Sequence, residues 1–529
     1  MSSESLMPPG ARNQTEVFAV HGADPEVLAY AMAKYSRSAL SMRESLAEIS
    51  RQRAEQFLNT FYFQYGHRSI ADLAHVAMAI ERLSLLAAIV LVDEQRWDGQ
   101  ERSTRYQNFL KSGWYFPDFG EDSGAAQLFS DTISNLFAVY QRTTTAVLEA
   151  LRRRVPCPEA MKPEAYERTL KARAFDVARY LLPLATNTSL GQITNARTLE
   201  TQVSRLLSNP AAEVRDLGAK LREAAIGPAW NVNGQAGQTF VEKLAVMDSE
   251  FAAEAAQLLT REVRSAPTLV KYAQPNDYEI QTRAELAQAA VELLASQPIA
   301  AAPVVDLVER TESLEVELAS TLLYSASHHP YRQIRDLVAG LPALRVAEIV
   351  ELGLRHRGKH DEALRAFHAG ASLRIDILMD IGGFRDMHRH RRCTQIIQPF
   401  TTLHGYETPT SGDLGPEVNI LAEAGVLGEY QSAVDQAHAA SARIAAGTAP
   451  EAAQSALYLL PLATRIRSLF KMDFAEAQYI IELRSGPAGH FSYRRVAWEM
   501  FLALQRQHPA LAKHIRVTDY TMPIDLLQR

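Results

Sequence analysis

The sequence predicts a helix-rich α+β protein built from two tandem copies of one domain, and three observations carry that prediction. The heptapeptide YLLPLAT occurs at Tyr180–Thr186 and again, unchanged, at Tyr458–Thr464. Long segments such as Phe137–Arg154 and Gln431–Gly447 space their apolar residues as amphipathic helices do. The segments around each heptapeptide also recur in the same order. The first half runs YGHRSIADLAHVAMAIERL, then ERSTRYQNF, then VARYLLPLATNTSLGQITNARTLE. The second runs ALRAFHAGASLRIDILMDIGGFRD, then MHRHRRCTQ, then SALYLLPLATRIRSLFKMDFAEA. Loose wording in a shared order is what an old internal duplication leaves behind.

The bulk properties bound the rest. A chain of 529 residues is too long for one ordinary core. Its 47% hydrophobic and 22% charged content is typical of a globular protein. A net charge of −6 argues against broad nucleic-acid binding, which shows as a basic surplus. Two cysteines, Cys157 and Cys393, offer neither a disulfide framework nor zinc spacing, so a reducing cytoplasm is expected. The longest apolar run, Leu83–Val92, is about half of a membrane span and reads as a buried helix or strand, with no membrane partner. Residues 1–15 read as a disordered lead-in without signal-peptide features. Prolines and Asn-Asp between Ser265 and Glu279 interrupt the helical pattern. They divide the chain into repeats at 16–264 and 265–529. The polar stretch Trp230–Thr239 reads as a loop.

Two segments carry chemistry. In FRDMHRHRRCTQ, Arg385, His388, Arg389, His390, Arg391 and Arg392 crowd together after a buried-looking run. Guanidiniums this close repel one another unless an anion sits among them. Planar guanidiniums suit phosphate or pyrophosphate oxygens; a solvated basic patch or internal ion pairs is the structural alternative. A metal at His388 and His390 is not expected, because neighbouring arginines oppose a cation. In QERSTRYQNF, Ser103, Arg105 and Tyr106 place a hydroxyl, a guanidinium and an aromatic ring together, an arrangement a surface loop also provides.

Together these pieces resemble the flavin-dependent thymidylate synthase family. Its hallmark opens with Arg-His-Arg, continues through seven residues to Ser, and closes on x-Arg-Tyr. Here the hallmark is split. Arg389-His390-Arg391 match the opening, but Pro399 stands at the serine position and Thr401-Thr402 replace Arg-Tyr. Ser103, Arg105 and Tyr106 match the close, but Asp93-Glu94-Gln95 stand where Arg-His-Arg is expected. Arg179 matches the family arginine ahead of Leu-Pro, and Leu457 replaces it in the second half. Arg484 matches the later family arginine, and Leu206 replaces it in the first. Gly66-His67-Arg68-Ser69 and Asn195-Ala196-Arg197 match further motifs in the first half alone. Each copy lacks what the other keeps.

The resemblance implies tandem thymidylate synthase-like domains forming a pseudo-dimer, and a homodimer of the chain equivalent to the family tetramer. It implies reductive methylation of dUMP to dTMP, with FAD as cofactor and NADPH and methylenetetrahydrofolate as co-substrates. FAD is then expected at His67, Ser69, Asn195, Arg197, Arg389, His390 and Arg391. The dUMP site is expected at Glu101, Ser103, Thr104, Arg105, Arg179, Arg389 and Arg484, with Arg484 catalytic through ionisation of the uracil N3. Asp386 departs from the family's glutamine-like contact, which leaves another pyrimidine nucleotide open as substrate. A non-catalytic nucleotide-binding scaffold is the remaining alternative, although random decay does not spare complementary residues.

Overall fold

In a computed structural model of the chain the described residues are 23–34, 68–231, 234–246, 250–309, 311–358, 361, 363–409, 413–414, 418–449 and 451–527. The expected lead-in and His67 lie outside them, as does the side chain of Ser69. The chain divides into two compact units. The first comprises Met1–Val76, Asn195–Arg197 and Ala225–Lys271; the second comprises Ala77–Thr194, Thr198–Ala224 and Tyr272–Arg529.

In the first unit, helix Pro25–Lys34 is anchored by two buried carboxylates. Glu26 accepts from the backbone N–H groups of Thr268 and Leu269 at 2.9 and 2.7 Å, and Asp24 pairs with Arg261 at 2.7 Å. Trp230–Thr239 is not wholly a loop: a helix starts at Gly234 and runs to Leu244. Its pattern turns apolar from Phe240 onward and ends on buried Leu244, which overrides the glycines.

The second unit holds the cores of both repeats. Strands β1 (His75–Ser84), β2 (Asp98–Glu101) and β3 (Asn187–Asn195) form a sheet in the order β1-β3-β2. Strands β4 (Val305–Leu307), β5 (Leu373–Asp380), β6 (Thr394–Ile397) and β7 (Arg465–Met472) form another in the order β4-β5-β7-β6. The run Leu83–Val92 becomes the end of β1 and the buried helix Leu85–Leu91. Ser84 caps that helix by accepting from Ala87 N at 2.9 Å. Its counterpart, helix Ile381–Met387, is capped by Asp380 through Gly383 N at 2.6 Å. A Cβ on Gly383 would stand 2.5 Å from Ser492 Oγ and 2.9 Å from the Met379 methyl, so a larger residue would have to displace both.

The two heptapeptides meet as mirror copies. Leu184 N donates to Leu460 O at 2.9 Å, and the equivalent Leu462 N donates to Leu182 O at 2.9 Å. Ala185 N reaches Tyr458 O at 2.8 Å, and Ala463 N reaches Tyr180 O at 3.1 Å. Pro183 and Pro461 face each other in an antiparallel bridge. This reciprocity is the signature of a two-fold relation, here approximate and internal to one chain. The leucines of both strings are at most 1% exposed, each contributing roughly 1.5–3 kcal/mol by burial. Framework contacts around the strings repeat as well. Leu85 N bonds Thr186 O and Ile381 N bonds Thr464 O; Tyr115 N bonds Ala185 O and Glu407 N bonds Ala463 O, all at 2.9 Å.

Between β4 and β5 in the chain, helices Leu314–Tyr324 and Tyr331–Ala339 pack with Ile396 and Leu469 of the second sheet. Arg467 pairs with Asp376 at 2.9 Å and Lys471 with Glu317 at 2.9 Å, all four side chains being buried. Tyr324 OH and Tyr331 N complete the Asp376 carboxylate at 2.8 Å each. Arg355 and His356, which imitate the Arg-His-Arg motif, are tied to Glu285. His329 Nε2 donates to Gln297 O at 2.9 Å, a structural contact.

Candidate active site between the two repeats

The site grows from the two-fold relation just described. The segment after β2, Arg102–Tyr106, lies beside helix Pro163–Ala178 of the same repeat. Opposite stand helices Ile381–Met387, Phe474–Ser485 and Phe491–Gln507 of the other repeat. Ser103 Oγ accepts from Arg105 N at 3.2 Å, a local turn bond that points the next guanidinium inward. Arg105 clamps Asp176 with Nε and Nη2 at 2.7 and 3.0 Å, then crosses to the other repeat. There it donates to Tyr493 OH at 2.8 Å and Ala488 O at 3.3 Å. Burial opposes its charge, but Asp176 outweighs that and raises the guanidinium's pKa.

Arg179 is 2% exposed and sparsely bonded. It touches Thr104 Oγ1 at 3.5 Å and faces the Asp386 carboxylate at 3.6 Å, while its Nε and Nη2 have no protein partner. Buried guanidinium N–H groups left unpaired are costly, which makes Arg179 the strongest sign of a ligand-binding function. Burial pushes the Asp386 carboxyl up, but Arg179, Arg389, Arg105 and Arg484 outweigh it and hold its pKa below the ordinary value. Asp386 is therefore ionised among arginines. Glu101 is taken by Arg385, another cross-repeat pair.

The Arg-His-Arg stretch splits by direction. Arg389 is exposed, and Arg391 lies over the Trp97 ring at 4.4 Å. Burial and the charge of Arg389 lower the pKa of Arg391, and its Nε is unpartnered; an anion beside the two would relieve both strains. His390 points the other way, with its ring buried. Arg484 Nε donates to His390 Nε2 at 2.7 Å, and His390 Nδ1 faces Glu476 at 3.6 Å. Arg484 also donates to Asp386 O at 2.8 Å and lies over the Tyr493 ring at 5.3 Å. Cys393 is buried with its thiol pushed up to about 12 by burial, so it is no nucleophile at neutral pH.

Glu101, Ser103, Thr104, Arg105, Arg179, Arg389, His390, Arg391 and Arg484 are thus all in the second unit, drawn from both repeats. Asn195 and Arg197 belong to the first unit, where Arg197 pairs with Asp72 at 3.4 Å. Four participants carried no motif of their own: Asp176, Arg385, Glu476 and Tyr493. Arg385 sat in the basic cluster, and the others announce themselves only through contacts far apart in sequence.

The mirror position tells the converse story. By the same framework equivalence, Arg179 corresponds to Leu457, Arg484 to Leu206 and Arg385 to Ile89; Tyr493 corresponds to Val214, because Glu213 bonds the cap residue Ser84 as Ser492 bonds Asp380. Leu206 and Val214 are fully buried and Ile89 is 4% exposed. Arg389 and His390 correspond to Asp93 and Glu94, which are ion-paired to Arg365 and Arg205. The basic side chains of one position are replaced at the other by apolar packing or by carboxylates already paired within the protein.

Comparison with known proteins settles the family. The thymidylate synthase complementing protein family matches twice, over residues 18–226 and 315–510. The chain belongs to this family. It is a tandem member, with one match in each half. Relatives match over nearly the whole chain: a UPF0159 protein of Chlamydia muridarum is 27% identical, covering 94% of this chain and 91% of its own. A UPF0159 protein of Chlamydia pneumoniae is 26% identical over 97% of this chain and 93% of its own. A flavin-dependent thymidylate synthase from Helicobacter pylori, solved with FAD and dUMP, is 17% identical. It aligns with 38% of this chain and 89% of its own at a TM-score of 0.26. No helix among the described residues is long and apolar enough to cross a membrane. No group of three or more His, Cys, Asp or Glu among them is placed to hold a metal ion.

Proposed function

We propose that this chain is a flavin-dependent thymidylate synthase whose nucleotide site is composite, one part from each repeat. It methylates dUMP to dTMP, taking the carbon from methylenetetrahydrofolate and electrons from NADPH. The observation that carries the reading is Arg179: a buried guanidinium with two unpartnered N–H edges, flanked by Arg105, Arg389 and Arg484. Arg105 is already neutralised by Asp176. Arg179, Arg389 and Arg484 then face a single carboxylate, Asp386. That surplus suits a phosphomonoester, which carries about two negative charges at neutral pH.

The geometry supports the following roles. Arg179 and Arg389 bind the phosphate, and Thr104 and Ser103 line the loop. Arg484, facing the base, keeps its charge and stabilises an anion developing on the uracil ring. The exposed face of Arg389 and the unpartnered Nε of Arg391 fit the pyrophosphate of FAD. FAD, when bound, supplies the hydride. Asn195, Arg197, His67 and Ser69 are proposed as further FAD contacts on family grounds, as are the folate, NADPH, the cytoplasmic location and a homodimer. An ionised Asp386 amid the arginines favours a second reading, a different pyrimidine nucleotide in the same site.

The test is the visible spectrum of the purified protein before and after dUMP, followed by turnover with methylenetetrahydrofolate and NADPH. A flavin band that shifts with dUMP, and dTMP as product, supports the lead. A flavin band indifferent to dUMP but shifted by another pyrimidine nucleotide supports the second. No flavin after incubation with FAD refutes both.

A further inference from the structure

We propose that His390 is a positioning residue: held in one neutral tautomer, it aims Arg484 at the nucleotide without cancelling the guanidinium's charge. This rests on the reading above, in which Arg484 faces the base. It departs from the expectation that His390 contacts the cofactor.

The hydrogen bonds assign the proton. Arg484 Nε can only donate, so His390 Nε2, at 2.7 Å, carries a lone pair. The ring proton of the neutral imidazole is then on Nδ1, the nitrogen that faces Glu476 at 3.6 Å. His390 and Glu476 are each 5% exposed. The Tyr479 ring meets the imidazole edge-on at 5.7 Å, which limits its rotation. Nε2 is hydrogen-bonded to Arg484 and Nδ1 faces the Glu476 carboxylate, so both ring nitrogens look onto protein groups. Arg484 has two further restraints, the Asp386 carbonyl and the Tyr493 ring.

The closed half of the molecule shows what the imidazole accomplishes. There the counterpart of His390 is Glu94, and the arginine beside the counterpart of Arg484 is Arg205. Arg205 gives Nε and Nη2 to Glu94 at 2.9 and 2.7 Å, and Nη1 to Val90 O at 2.9 Å. A carboxylate orients a guanidinium and also neutralises it, leaving an inert structural pair. A neutral imidazole accepts the same hydrogen bond and leaves the full positive charge for a ligand. The two repeats thus hold an arginine one position apart in register, against equivalent partners of opposite electrostatic consequence.

Two substitutions in the full chain separate the possibilities. In His390→Gln the side-chain carbonyl reaches the Nε2 position and can accept from Arg484. In His390→Asn the shorter amide reaches only the Nδ1 position. Flavin occupancy and the dUMP-induced flavin shift are read for each. We expect both to retain FAD. His390→Asn should bind dUMP about 30-fold more weakly, the scale of one hydrogen bond to a charged group, and His390→Gln within about threefold of wild type. Adding Arg484→Ala to His390→Asn should cost nothing beyond Arg484→Ala alone. Loss of flavin from both variants, or equal impairment of the two, overturns the proposal. If the wild type shows no dUMP response, the functional reading has failed. The positioning claim is then judged by nitrogen NMR of the histidines. An unprotonated, hydrogen-bonded Nε2 on His390 that changes in Arg484→Ala upholds it, and a protonated Nε2 refutes it.

Discussion

The guanidinium of Arg105, in the first repeat, donates to the hydroxyl of Tyr493, in the second, at 2.8 Å. The same side chain closes on Asp176 with two N–H groups, and both members of that pair are more than nine-tenths buried. One arginine therefore shapes the Arg102–Tyr106 loop, neutralises a buried carboxylate and fastens one repeat to the other. The two-fold relation of the heptapeptides makes this possible, because it brings the loop of one copy against the helices of its sister.

Arg105→Ala leaves Asp176 buried without its cation. Breaking such a pair from one side costs about 3–5 kcal/mol. We expect a loss of that size in urea unfolding, together with lost dUMP binding. An unfolding midpoint equal to wild type would show that Asp176 finds another partner.

Arg179 is expected to behave in the opposite way. Its partners lie at 3.5 and 3.6 Å and two of its nitrogens are unsatisfied, so the folded protein gains little from its charge. Replacing a poorly paired buried ion by an apolar side chain of similar length is often neutral or stabilising. Arg179→Met should match or exceed the wild-type melting temperature while weakening dUMP binding by about 100-fold, as for loss of a charged phosphate contact. Thermal unfolding and a dUMP titration on one preparation check both halves. A marked drop in melting temperature would recast Arg179 as structural.

Binding stoichiometry follows from the mirror position. Leu457, Leu206, Val214 and Ile89 stand where Arg179, Arg484, Tyr493 and Arg385 stand in the candidate site, so titration calorimetry should count one nucleotide per chain. Two per chain would mean that the apolar position still binds.

Asp380 supplies a pH test. Burial pushes its carboxyl up from 3.8 to about 6, against hydrogen bonds from Ser492 and Gly383 and the charge of Arg179. A carboxyl with a raised folded pKa favours protonation of the folded state. Its contribution is intact below the unfolded pKa and is lost as pH rises through the folded one. Asp380→Asn removes that loss. Its stability relative to wild type should therefore climb by up to about 3 kcal/mol between about pH 4 and pH 7. A difference that stays level across that range would mean that Asp380 ionises freely in the folded protein.

Much of the site was readable before folding was considered. Arg179 and Arg484 stood out because each lacks a counterpart in the other copy, and the split Arg-His-Arg and Ser-x-Arg-Tyr motifs pointed to a shared site. The reading lost detail where direction matters. His390 sits in a basic string that looks like one phosphate-binding surface, yet Arg389 is exposed, Arg391 lies over Trp97 and His390 faces Glu476. Consecutive residues near a helix end project to different sides, and a string of letters carries no projection. Tyr493 and Asp176 escaped notice because their meaning lies in Arg105, hundreds of positions from one of them.

By itself the sequence determined that the chain is a duplication, that most of it is helical, and that complementary residues survive in the two copies. These are properties of pattern and spacing, which local propensity and shared ancestry write directly into the chain. Only the tertiary structure decided which surviving residues meet, which carboxylates neutralise which guanidiniums, and which charge is left for a ligand. Those outcomes depend on burial and on distances of a few ångströms between remote residues, and both arise when the two repeats pack about their two-fold relation.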